Sequence, residues 1–171
     1  MQLLDALEAV HGAGALHRDI KPANVLLRRN GDAVFTDFGR ALDDAQFLTT
    51  IGELVGSLDY MAPERMTGSK ARPASDLWSL GATLATACSG QSPFRRPTGP
   101  ETLYAVTYEG PTLPEELGPL LPVVEALLWK ASQERPPSPM RDPRCGASPR
   151  EKWTSSRSPR RPRTRPGLRL R

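Results

Sequence analysis

Cysteine is nearly absent, with two residues in 171, Cys88 and Cys145, in no framework or metal-ligand spacing. That excludes a disulfide scaffold and fits a reducing, cytoplasmic location. Long apolar runs are missing as well. No stretch approaches the ~18 residues that a membrane span needs, and nothing near Met1 has the pattern of a signal peptide. No internal repeat is visible. Charge of one sign is scarce in each part of the chain in turn. Residues 141–171 hold eleven Lys/Arg against two Asp/Glu, a net of +9, whereas the other 140 hold 12 against 17, a net of −5. The overall +4 therefore describes neither part. A mildly acidic part of this length can bury a real core, and only the basic end invites contact with phosphates or membrane surfaces.

What is present begins with a helix. Leu3, Leu4, Leu7 and Val10 make one apolar stripe over residues 2–11, ending at Gly12 and Gly14. Residues 17–24, His-Arg-Asp-Ile-Lys-Pro-Ala-Asn, then place a carboxylate (Asp19), an ammonium (Lys21) and a carboxamide (Asn24) within eight positions. Val25-Leu26-Leu27 and Val34-Phe35-Thr36 flank Asn30-Gly31, which predicts a hairpin with a two-residue type I′ turn. Such a hairpin brings Asn24 near Asp37 of Asp37-Phe38-Gly39. Residues 40–56 keep no periodicity and read as a loop.

Gly56-Ser57-Leu58-Asp59-Tyr60-Met61-Ala62-Pro63-Glu64 follows. Ser75 is expected as the N-cap of the next helix, with Asp76 in its first turn. Leu77, Leu80, Gly81, Leu84 and Cys88 repeat at helical spacing up to Gly90, so this helix is expected to be buried. Weaker helical patterns cover 101–108 and 120–131. From Pro136 on, proline, arginine and serine dominate. Such a segment cannot offset its ordering entropy by burial, so 137–171 is expected to be a disordered basic tail. The pattern stops so abruptly that a shifted reading frame or an unselected extension is its expected origin, which resequencing the locus tests. With only Trp153 for stacking, nucleic acid is not its expected partner.

Each motif alone is weak. Their order is not: His-Arg-Asp…Asn, Asp-Phe-Gly, Ala-Pro-Glu, then Asp-Leu-Trp-Ser-Leu-Gly. Over residues 1–136 the chain resembles the C-terminal lobe of a serine/threonine protein kinase of the bacterial eukaryotic-like type. The resemblance implies a mainly α fold, a helical lobe with a short β-hairpin carrying the catalytic loop and Asp-Phe-Gly. It implies ATP and Mg²⁺ as cofactors and Ser/Thr-bearing proteins as substrates. Asp19 becomes the base or orienter for the substrate hydroxyl, and Lys21 a counter-charge to the transferred phosphate that favours Ser/Thr over Tyr. Asn24 and Asp37 become the metal-binding residues, and Leu26 lines the adenine pocket from below. His17 and Phe38 are packing residues, Asp76 bonds backbone amides of the loop, and Arg135 pairs with Glu64.

Thr49 and Thr50 are ordinary solvent-facing residues on their own. The resemblance makes them activation-loop phosphosites whose phosphate could pair with Arg18. The chain carries no Gly-x-Gly-x-x-Gly loop and no Val-Ala-Ile-Lys-type strand, the parts that clamp the nucleotide from above. A missing N-terminal lobe segment is therefore an expected partner, and the fragment is expected to be inactive alone. The alternative is a non-catalytic kinase-like binding module or a decayed remnant.

Overall fold

The computed structural model describes residues 2–37 and 57–136. The chain divides into two units, Met1–Met140 and Arg141–Arg171. The second unit, Phe38, Thr49 and Thr50 lie outside the described residues, and so do the expectations attached to them. Among the described residues the fold is mainly helical with one short hairpin. None of these helices is long and apolar enough to cross a membrane.

Helix α1, Gln2–Gly12, turns its stripe inward through Leu7 and His11. The chain then forms a one-turn 3₁₀ helix, Pro22–Asn24, started by a proline whose missing N–H is not needed there. Strands β1 (Val25–Leu27) and β2 (Ala33–Phe35) follow, antiparallel, with Val25 opposite Phe35 and Leu27 opposite Ala33. The connection differs from the expected type I′ turn. The Gly31 N–H donates to the Arg28 carbonyl at 2.9 Å and the Arg28 N–H to the Asp32 carbonyl at 2.8 Å. Only Gly31 takes positive φ there (85°), so this is a longer loop closed by a left-handed glycine. Asn30 is free to do something else: its side-chain oxygen accepts from the Asp32 N–H at 3.1 Å, a local turn of its own.

Helix α2 is a single turn, Pro63–Met66. Helix α3, Pro73–Ser89, is the axis of the fold. It begins three residues before the expected start, because Pro73 supplies its first position and Arg72 is the cap residue. Ser75 is thus not the N-cap but the third helical residue. Its hydroxyl accepts from the Arg72 N–H at 3.2 Å, while the Arg72 carbonyl accepts from its own N–H at 2.8 Å. At the far end Gly90 adopts φ 73° and donates to the Thr86 carbonyl, a left-handed stop. Cys88, counted in the apolar repeat, is exposed, because the helix outlasts the core by a turn.

Two apolar clusters share α3. One joins Leu7, Ile20, Phe35, Leu77, Leu80 and Leu127, tying α1, the loop and the hairpin to its inner face. The other packs Trp78, Ala82 and Ala85 against Phe94, Ala105, Val106, Leu117 and Val124. Phe94 lies in the segment before α4, and the other four come from α4 (Gly99–Tyr108), the 3₁₀ helix Glu115–Leu120 and α5 (Leu121–Leu127). Each fully buried Leu, Ile, Val or Phe among them contributes ~1.5–3 kcal/mol. α4 starts two residues earlier than its apolar pattern, behind a capping box of Thr98 and Glu101. α5 ends four residues short of 131, since the carbonyls of Trp129 and Lys130 bond the Arg135 guanidinium instead.

Gly81 marks a close approach of α3 and α5: a Cβ there would lie 2.9 Å from the Leu127 Cβ. Alanine would gain ~1 kcal/mol of helix propensity but force backbone-linked atoms apart, which costs ~1–3 kcal/mol. Gly81→Ala is expected to lower the unfolding free energy, read from the urea midpoint. A gain in stability would show that the helices are not this close.

Candidate active site

Loop 17–24 converges on Asp19. The Asp19 Oδ2 accepts from the Asn24 amide at 2.9 Å and from the Lys21 ammonium at 2.9 Å. The same Asn24 nitrogen donates to the Asp19 carbonyl at 2.7 Å. Both of these partners only accept, so the NH₂ end of Asn24 must face Asp19. The side-chain oxygen of Asn24, Oδ1, is left for another use, with no protein partner among the described residues. Lys21 donates a second time, to the Ser57 hydroxyl at 3.2 Å. Asp19 and Lys21 stay about a quarter exposed, at 26% and 24% of the side chain, so a ligand can reach both.

The hairpin brings the far end of the site back. The Thr36 N–H donates to the Asn24 carbonyl at 2.9 Å, which leaves Asp37 one residue beyond that contact. Asp37 is exposed and holds φ 55°, a left-handed conformation uncommon outside glycine that aspartate tolerates better than most. Leu26 and Leu27, on opposite faces of β1, are 57% and 78% exposed, so the apolar floor beside the loop faces solvent.

The loop itself hangs from α3. Asp76, 2% exposed, accepts the His17 N–H on Oδ2 and the Arg18 N–H on Oδ1, each at 2.9 Å. Arg18 adopts φ 68°. A non-glycine residue in that region carries ~1–3 kcal/mol of strain and persists only where its surroundings over-determine it. Here the fixed N–H is part of that over-determination. The His17 ring is buried edge-on against Phe35, with centroids 5.0 Å apart.

A second attachment lies at the base of the same helix. The Arg135 guanidinium donates to both Glu64 oxygens, at 2.8 and 2.7 Å, and to the carbonyls of Ala74, Trp129 and Lys130. It also lies over the Trp78 ring at 4.9 Å. The Ser75 hydroxyl donates to Glu64 Oε1 at 2.8 Å. Burial pushes the Glu64 carboxyl up, but Arg135, followed by backbone and Ser75 hydrogen bonds, outweighs it and holds the group below its ordinary value. Lys130 bonds the Ala105 and Val106 carbonyls and lies over the Trp78 and Phe94 rings. Burial, reinforced by the nearby Arg135, pulls its ammonium down to about 8.

Ser57, His11 and Lys130 were not singled out by the sequence. Ser57 meets Lys21 only through space, across 36 positions, and no spacing announces that. His11 had a faint signal, lying four residues after Leu7 on the buried stripe of α1. Its Nε2 is 2.9 Å from Asp76 Oδ2.

Comparison with known proteins follows this geometry. Residues 1–128 match the family model described as protein kinase domain. A protein named "Probable serine/threonine-protein kinase PkwA", from Thermomonospora curvata, is 39% identical over 137 residues, 80% of this chain and 18% of its own length. Serine/threonine-protein kinase AfsK of Streptomyces griseus is 41% identical over 124 residues, 70% of this chain and 15% of its own. Serine/threonine-protein kinase PknK of Mycobacterium tuberculosis is 46% identical over 99 residues, 58% of this chain and 9% of its own. The chain thus spans less than a fifth of the length of each of these relatives.

Breaking the Arg135–Glu64 pair removes a buried guanidinium and strands a half-buried carboxylate. Arg135→Ala is expected to lower stability by ~3–5 kcal/mol at neutral pH, read by urea unfolding. Because the folded Glu64 titrates below its ordinary 4.5, its contribution is complete above that pH and is lost as pH falls through the folded value. The gap between wild type and variant should therefore narrow below pH 4.5. A gap that is small at pH 7, or unchanged in acid, would contradict the pairing.

Proposed function

The chain belongs to the protein kinase domain family, and from that membership we propose that residues 1–136 act as the C-terminal lobe of a protein serine/threonine kinase. The observation that carries this reading is the convergence of Lys21 and Asn24 on one oxygen of Asp19. With Oδ2 doubly engaged, the carboxylate plane is fixed and Oδ1 remains open to a substrate hydroxyl. Asp19 orients that hydroxyl and takes its proton as attack proceeds, a contribution of ~10²–10⁴ in rate. Lys21, held between Asp19 and Ser57, places a positive charge beside the transferred γ-phosphate of ATP and favours Ser/Thr acceptors over Tyr.

The donor set fits magnesium. A carboxamide oxygen directed away from its own hydrogen-bonded nitrogen and an exposed carboxylate are hard oxygen ligands. Mg²⁺ takes one or two such groups together with substrate phosphates and water. Asn24 and Asp37 would hold it, and it would supply charge neutralisation at the nucleotide phosphates. Leu26 belongs to the base-binding floor. Arg18 would pair with a phosphate on Thr49 or Thr50. The reaction is placed in the cytoplasm, in keeping with two unframed cysteines. A non-catalytic docking role is the second reading, favoured by the open faces at Leu26 and Leu27.

Residues 1–171 alone are expected to bind Mg²⁺–ATP weakly and to show negligible phosphotransfer. Joined to an upstream lobe that carries a glycine-rich loop and a strand lysine, they should phosphorylate serine or threonine in a protein substrate. Asp19→Asn should then reduce turnover by ~10²–10⁴. Turnover that survives this change would remove Asp19 from the chemistry, and a joined protein that binds nucleotide yet never transfers phosphate would favour the docking role.

A further inference from the structure

Lys130 is a half-buried ammonium with no carboxylate at ion-pair distance among the described residues. Its partners are all neutral. Nζ donates to the Ala105 carbonyl at 3.1 Å and to the Val106 carbonyl, and it lies over the Phe94 and Trp78 rings at 4.3 and 4.9 Å. Arg135 faces the same Trp78 ring at 4.9 Å, so two cations share one indole. The carboxylates of this region are engaged elsewhere: Glu64 holds Arg135 through both oxygens, and Glu109 is paired with Arg96. Burial and Arg135 therefore favour the neutral amine, and Glu109 only opposes them in part. A neutral amine still has two N–H groups for the two carbonyls, so losing the proton breaks neither hydrogen bond and frees a lone pair. A lysine that is desolvated, or that stands beside another cation, is the nucleophilic kind. Of the other described lysines, Lys21 is paired with Asp19 and Lys70 is exposed.

The two carbonyls belong to the last turn of α4, where a helix leaves such groups without partners of its own. Lys130 thus fastens that turn to the segment after α5, across 25 and 24 positions. An acylated lysine loses this hold. Its amide keeps one N–H for two carbonyls and carries no charge for the rings or the helix end. We propose that Lys130 is an acylation site for small anionic acyl donors of the acyl phosphate class, and that its acylation unfastens the last turn of α4. Nζ attacks the acyl carbonyl carbon, the N–C bond forms and the C–O bond to phosphorus's oxygen breaks. Inorganic phosphate leaves with the electron pair, and the nitrogen gives a proton to water. Half-burial of the amine demands a small donor, and the neighbouring Arg135 guanidinium suits a negatively charged one. None of this depends on the kinase reading.

Site-by-site acetylation of the whole chain tests it. With limiting acetyl phosphate at neutral pH, peptide mass spectrometry should find Lys130 modified on the order of tenfold faster than Lys70. That advantage should vanish in concentrated urea, and the Lys130 rate should level off as pH passes about 8. A Lys130 rate equal to or below that of Lys70, or an advantage that survives urea, would overturn the proposal. The acetylated protein then reads the second half. The Glu109 N–H, which donates to the Ala105 carbonyl at 3.0 Å, should exchange on the order of tenfold faster with solvent than in the unmodified chain. Exchange at Leu80 and Ala82 in the middle of α3 should hardly change. Lys130→Gln, which has an amide in place of the amine, should show the same pattern without reagent. Should that variant fail to fold, the acetylated wild type still decides. Unchanged exchange at Glu109, or equal acceleration at all three positions, would show that acylation does not act on the end of α4.

Discussion

A buried carboxylate at the start of the central helix is the constraint on which the loop geometry depends. Asp76 cannot be left bare in the core, because burying an unpaired charge is among the most expensive things a fold can do. It is satisfied only if the chain at 17–18 comes to it with both N–H groups pointing the same way and His11 closes the third side. That demand fixes the backbone immediately before Asp19 and holds Arg18 at a φ it would not choose on its own. The chemistry-bearing side chains follow from it. Once the loop entrance is set, the 3₁₀ turn at Pro22–Asn24 returns Asn24 to Asp19, and the hairpin carries the chain back to Asp37.

The same helix is gripped at its first turn from a second direction. Ser75, adjacent to Asp76, donates to Glu64, which is held by Arg135 from the end of the described chain. Two neighbouring residues of α3 thus serve different clients, one the loop that carries Asp19 and the other the segment after Ala62-Pro63. Trp78, one turn further on, lies under the Arg135 and Lys130 cations, so the second apolar cluster is tied to this attachment as well. Displacing α3 by even a small rotation would disturb both. An interior packed at crystal-like density transmits such strain and does not absorb it.

Much of this was legible in the residues, and the divisions have physical reasons. The apolar stripes of α1 and α3 and the left-handed stop at Gly90 depend on local periodicity and conformational preference, which a sequence displays. The turn type did not follow from Asn30-Gly31. Asn30 can satisfy its side chain on Asp32 without entering the left-handed region, and the strands are joined by the longer loop between Leu27 and Ala33. Ser75 looked like a cap because serine often is one. Pro73 pre-empted the start, and the hydroxyl was recruited to Glu64 across eleven positions. Ser57 and Lys130 act through contacts between segments far apart in sequence, where neither residue type nor spacing gives a signal. Of the site, Asp19, Lys21 and Asn24 stand together as a network. Asp37 is placed by backbone pairing, and Leu26 lies on an open face.

We propose that Asn24 and Asp37 form one metal–nucleotide edge beside Asp19. Paramagnetic relaxation tests it most directly: Mn²⁺ is substituted for Mg²⁺ at millimolar ATP, and line broadening is followed across the assigned spectrum. The geometry predicts nucleotide-dependent broadening centred on the Asn24 side-chain amide and the backbone signals of Thr36 and Asp37, and its loss in Asn24→Ala. Broadening spread over unrelated surface carboxylates such as Glu115 and Glu116, or broadening indifferent to ATP, would contradict it.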